Sequence, residues 1–106
     1  MNRSYDIMKT SLFLNYLKAG DFMQTRVVLL GIIVENTAAV EQLNTLLHAH
    51  NEYIIGRMGL PYKQKNINII SIVLDAPADI ISTLSGKIGM LNGVSVKALY
   101  ARAPQE

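Results

Sequence analysis

From Arg26 onward the chain repeats itself at an offset of 40 residues. Val27 aligns with Ile67, Leu29 with Ile69, Leu30 with Ile70, Ile32 with Ile72, Ile33 with Val73 and Val34 with Leu74. Glu35 aligns with Asp75, Ala38 with Ala78, Val40 with Ile80, and Ile54 with Val94. A length of 106 residues allows one small domain, not two. The halves must therefore share one core, and each reads strand, helix, strand. Thr25 to Glu35 and Asn66 to Asp75 are β-branched, nearly continuous apolar runs, the mark of central strands buried on both faces. Tyr53 to Gly59 and Val94 to Ala101 carry Arg57, Lys97 and the adjoining Arg102, as edge strands do when they resist further pairing.

Between the strands, Thr37 to His50 places Val40, Leu43 and Leu47 at helical spacing, with Asn36 or Thr37 to cap the first amides and Glu41 in the first turn. In the second half Ala76-Pro77-Ala78-Asp79 starts a helix. Ile80, Ile81, Leu84 and Ile88 form its inner face, and Asn92-Gly93 turns into the last strand. The order βαββαβ with right-handed crossovers predicts an α+β, ferredoxin-like sandwich. Its antiparallel sheet is ordered 4-1-3-2, with both helices on one face.

Residues 1–24 differ in character. Ile7, Met8, Leu12 and Tyr16 share a helical face and Ala19-Gly20 provides a stop, so this segment reads as a short N-terminal helical extension to a domain spanning 25–106. Met23, just before the first strand, is an alternative start of translation. The longest apolar run, Val27 to Val34, is far short of the roughly 20 residues a bilayer requires. No targeting signal is evident, and a cytoplasmic location is expected.

A one-sided sandwich needs only one apolar sheet face, yet both central strands are apolar on both. Val27, Leu29 and Ile33 alternate with Val28, Leu30, Ile32 and Val34, and Ile67, Ile69 and Val73 alternate with Ile70, Ile72 and Leu74. An uncovered apolar face of roughly several hundred Å² calls for a cover. A homodimer or higher homo-oligomer through the sheet is the expectation, with the N-terminal segment as the competing cover.

Chemistry is constrained by what is missing. The chain has no Cys, which removes disulfides, thiol nucleophiles, iron-sulfur clusters and Cys-based zinc sites. His48 and His50 would point about 200° apart on a helix and so cannot chelate one metal together, so no metal site is expected. Glu35 and Asp75 follow antiparallel strands and fall at opposite ends of the sheet, too far apart for paired acid-base work. Ser82, Thr83 and Ser85 have no His or Lys at triad spacing, and Ser85-Gly86-Lys87 lies within a helix without the glycine of a phosphate loop. No catalytic residues, no cofactor and no enzymatic activity are expected. Lys63 and Lys65, with Arg57 nearby, form the one concentrated basic patch. With Lys+Arg 10 against Asp+Glu 8, the overall charge is too even for a strong phosphate binder.

Several stretches resemble a known family. Gly31-Ile32-Ile33-Val34-Glu35, Leu43-Asn44-Thr45-Leu46-Leu47-His48, Ile54-Ile55-Gly56-Arg57-Met58-Gly59-Leu60-Pro61-Tyr62, Ile69 to Pro77, and Leu84-Ser85-Gly86-Lys87-Ile88-Gly89-Met90-Leu91-Asn92-Gly93 are similar to the small regulators associated with iron-only hydrogenase systems of anaerobic bacteria. The resemblance spans roughly Arg26 to Tyr100. It implies an ACT-like domain, similar to the regulatory domain of nickel-responsive repressors, that oligomerises and senses a small ligand or a protein partner. Carried onto this chain, it makes Glu35, Asn36 and Thr37, at the first strand-helix loop, and Gly56 and Arg57 the candidate ligand-binding residues. The nickel site itself needs a Cys that this chain lacks. The alternative reading is a DNA-associated transcription regulator of the ribbon-helix-helix nickel-repressor class without its own DNA-binding domain, using Arg57, Lys63 and Lys65. Direct DNA binding is not expected, because 24 N-terminal residues with one weak helix do not supply a strand and two helices.

Overall fold

The two halves of the repeat fold into a shared α+β sandwich. A computed structural model describes residues 24–102, and the expected N-terminal helix and the alternative start at Met23 lie outside the described residues. Strands β1 (Thr25–Val34), β2 (Ile54–Tyr62), β3 (Ile67–Pro77) and β4 (Val94–Tyr100) form one antiparallel sheet in the order β2-β3-β1-β4. Helices α1 (Val40–Ala49) and α2 (Ala78–Gly89) cross over between β1 and β2 and between β3 and β4. This is the ferredoxin-like arrangement expected from the repeat, with the two most apolar runs at the centre.

Register assigns each side chain to a face, because residues directly opposite in an antiparallel pair share one. Val28, Leu30, Ile32 and Val34 of β1 stand against Leu74, Ile72, Ile70 and Asn68 of β3. With Leu43 and Leu47 of α1 and Ile81, Leu84 and Ile88 of α2, the apolar members of this layer form a closed core. Burying each of these side chains stabilises the fold by roughly 1.5–3 kcal/mol, so this layer is what holds helices and sheet together.

Local boundaries differ from the sequence expectation in three places. The sequence bounds end the second strand at Gly59 and start the third at Asn66, but β2 continues to Tyr62 and the hairpin turn shrinks to the 3-10 segment Lys63–Lys65 plus Asn66, whose φ is 56°. Pro61 is accommodated because β2 is an edge strand, where a missing amide donor costs no ladder bond on the open side. The second helix was expected to begin around Ala76-Pro77, but both residues stay in β3, paired with Arg26 and Thr25, and Pro77 takes extended ψ as the N-cap. The first helix opens with a 3-10 turn, Thr37–Ala39, in which the Asn36 side-chain carbonyl accepts the Ala38 amide at 3.1 Å. The capping role foreseen for Asn36 or Thr37 thus falls to Asn36.

A helix-free apolar face and two polar clefts

Among the described residues, the other face of the sheet carries no helix. Three consecutive registers cross it: Gly56, Val73, Leu29 and Leu99; then Met58, Ser71, Gly31 and Lys97; then Leu60, Ile69, Ile33 and Ser95. Met58 is 66% and Leu99 69% exposed, and Val27, Leu60 and Tyr62 are exposed beside them. Gly31 and Ser71, both small, occupy its middle, and a Cβ on Gly31 would meet nothing within 4 Å among the described residues. The face is therefore a broad apolar surface with a shallow centre, larger and flatter than isolated exposed hydrophobics would make.

The candidate ligand-binding residues divide between two places. Glu35, Asn36 and Thr37 join β1 to α1. The Glu35 amide donates to the Gly93 carbonyl at 2.7 Å, and Gly93, at φ 75°, sits so close that a Cβ there would lie 2.6 Å from that of Asn36. The Asn36 main-chain carbonyl accepts the Ala39 amide at 2.9 Å, so both of its oxygens serve the turn. Thr37 shares a cleft of ≈ 180 Å³ with Tyr62, Lys63 and Asn66 of the hairpin end, where the Tyr62 hydroxyl donates to Gln64 Oε1 at 2.8 Å. Gly56 and Arg57 lie elsewhere, about 17 Å along β2 from Tyr62 by strand rise. Gly56 belongs to the helix-free face, whereas Arg57 is on the helix side, donating from Nη2 to Asn44 Oδ1 of α1 at 3.2 Å.

The basic residues separate in the same way. Lys63 and Lys65 are in the hairpin turn, while Arg57 is held against α1. His50 Nδ1 donates to the Leu46 carbonyl at 2.8 Å, ending α1, and His48 is exposed two residues earlier. Glu35 and Asp75 are at opposite ends of the β1–β3 ladder, since Asp75 opposes Val27 and Glu35 follows Val34. Among the described residues no three of His, Asp and Glu gather closely enough to hold a metal ion. Nor is any described helix long and apolar enough to cross a membrane.

A second polar cleft, of ≈ 260 Å³, lies at the opposite end of the sheet from Thr37. Thr25, Arg26, Val27, Asp75, Ala101 and Arg102 line it. The Arg26 guanidinium carbon lies 4.7 Å from the centroid of the Tyr100 ring, and its Nη2 donates to the Ala101 carbonyl at 2.9 Å. Sequence reading missed this cluster. Arg26 and Tyr100 meet only because β1 pairs with β4 in the register Val28 to Tyr100, and no spacing along the chain announces that. A third cavity, ≈ 430 Å³ and lined mainly by apolar atoms, opens between the ends of α1 and α2 at Leu46, Lys87, Met90 and Leu91.

A four-stranded antiparallel sheet in the order β2-β3-β1-β4, with both crossover helices packed on one face, defines a small ferredoxin-like α+β domain. More particularly, residues 26–98 match the model of the TM1266-like family, described as "Iron-only hydrogenase system regulator, putative", and the chain belongs to that family. The solved structure of the uncharacterized protein TM1266 from Thermotoga maritima is similar, with a TM-score of 0.71 and 39% sequence identity over 74% of this chain and 99% of that one. No curated protein matches the chain.

Proposed function

We propose that this protein is a cytoplasmic, non-catalytic, ACT-like regulatory module of an iron-only hydrogenase system that works as a homo-oligomer and responds to a small ligand or a protein partner. The observation that carries the reading is the helix-free face, where Leu29, Ile33, Met58, Leu60, Ile69 and Leu99 surround Gly31 and Ser71. An apolar surface of this breadth is stabilised by a cover, and a second copy of the same sheet offers one of matching shape and composition. The family description supports the regulatory role. The cleft between Thr37 and the Lys63 turn supports binding at the β1–α1 loop, in which Glu35 is exposed.

Light scattering on the full chain at micromolar concentration tests the assembly: a dimer or larger species is expected, and a clean monomer would sink the oligomer. A thermal-shift screen with amino acids, nucleotides and divalent metals tests the sensing role. A ligand at 100 times its Kd stabilises by about 2.7 kcal/mol, which moves Tm visibly.

A further inference from the structure

The helix layer has an apolar groove of its own. It encloses ≈ 430 Å³ and is lined by Gln42, Thr45 and Leu46 of α1 and by Lys87, Met90 and Leu91 at the end of α2. The i, i+3, i+4 spacing of both sets places each along one side of its helix, so the two sets form facing walls. Leu46 and Leu91 are half-buried, and Met90, at 86%, is the most exposed large hydrophobic side chain among the described residues. A trough between two packed helices has the shape that the apolar face of a third helix fills.

We propose that the occupant is the N-terminal segment of the same chain, docked as a helix with Met8, Leu12 and Tyr16 against Leu46, Met90 and Leu91. Residues 1–23 precede the family match, which begins at residue 26, and carry Ile7, Met8, Leu12 and Tyr16 at helical spacing. Their exit from the domain is close to α2, because Thr25 opposes Pro77, the residue that leads directly into that helix. From Ala78 the groove lies about 14 to 20 Å along α2 by helix rise, and residues 17–24 span up to about 26 Å when extended, so the segment reaches it. The open sheet face suits it less, since four strands at about 4.8 Å spacing make a flat surface wider than one helix of about 10 Å covers. A chain started at Met23 would carry the same domain with the groove open, so the two starts differ in what the helix layer presents to other molecules. Groove and sheet face lie on opposite sides of the sheet, and the docking is independent of how that face is covered.

Because the chain has no Cys, one introduced thiol places a nitroxide label at a single position. The test is paramagnetic broadening in the full-length 15N-labelled protein carrying Asn92→Cys, an exposed position beside Leu91, with Met58→Cys on the sheet face as the comparison. The label at position 92 should at least halve the amide intensities of residues 8–16, and the label at position 58 should leave them in place. Leu12→Asp, outside the domain, and Met90→Asp, at an exposed site, should each restore those intensities while the signals of β1 and β3 stay where they are. A mixture of labelled 14N protein with unlabelled 15N protein should show no loss. Loss in that mixture would assign the groove to a second copy, and loss from position 58 instead of 92 would assign the segment to the sheet face. Either result overturns the proposal, as does an absence of loss from position 92 or a loss that survives Met90→Asp.

Discussion

Gly31 and Ser71 stand directly opposite one another on β1 and β3, at the centre of the helix-free face, with Met58 and Lys97 completing their row. Two small side chains at the midpoint of an apolar surface leave space that a bulky group from a second molecule can enter. No atom of the described residues lies within 4 Å of a Cβ built at Gly31.

Gly31→Glu should therefore leave the domain folded and take the assembly apart. The new side chain meets open space, stands opposite Lys97 on β4, and replaces a residue that weakens strand interiors. In an assembly the same carboxylate would be buried in an apolar interface at prohibitive cost. Light scattering should show the monomer mass with an unchanged circular dichroism spectrum. An oligomer that survives this change does not use the face.

Leu29 and Leu30 are neighbours in sequence with opposite duties. Leu30 is fully buried under the helices, whereas Leu29 is 39% exposed on the helix-free face. Leu30→Ala should cost about 2–5 kcal/mol in a denaturant titration, the range for emptying a closed core site. Leu29→Ala should cost well under half of that in dilute monomer, yet raise the dissociation constant of the oligomer. Measuring unfolding at two protein concentrations separates the two effects, because only the second depends on mass action.

The topology was legible because the repeat presents two β-branched runs that can only be central strands, and because Arg57 and Lys97 mark the edges. The double apolar face was equally readable, since parity along β1 and β3 assigns Val27, Leu29 and Ile33 to the side opposite Val28, Leu30 and Ile32. What sequence reading missed depends on register between distant strands. Leu60 and Pro61 read as residues beyond the second strand until the β2–β3 ladder extends over them, and that extension carries Lys63 to Thr37 while leaving Arg57 on α1. Arg26 and Tyr100 are 74 positions apart in the numbering, and only the β1–β4 pairing stacks one on the other.

Gly93→Ala should be among the most damaging single-methyl changes in the chain. The residue holds φ at 75°, a region that costs an L-residue about 1–2 kcal/mol. The added Cβ would also lie 2.6 Å from Asn36 Cβ and 3.1 Å from the Asn36 amide nitrogen, so the β1–α1 turn must move. A loss of more than about 2 kcal/mol in urea unfolding is the expected outcome. Gly86→Ala, in α2 with nothing within 4 Å of the new atom, should be neutral or stabilising by up to about 1 kcal/mol. Equal costs at the two positions would show that the close approach of Gly93 to Asn36 is not what the turn requires.

Tyr53 closes the short turn after α1 and packs partly against the core. Burial pushes its phenol above the ordinary value of 10.0, and the carboxylates of Glu52 and, more weakly, Asp79 push in the same direction. The fold thus favours the neutral phenol, so the stability tied to it is complete below pH 10.0 and fades as pH climbs through the raised folded value. Absorbance at 295 nm, taken as the difference between the unaltered protein and Tyr53→Phe, should show a single phenolate titrating above the ordinary value. Glu52→Gln removes one of the two charges and should bring that midpoint down, while the part due to burial persists. A midpoint that does not respond to Glu52→Gln would leave the shift to desolvation and Asp79 and the turn's carboxylate without an electrostatic role.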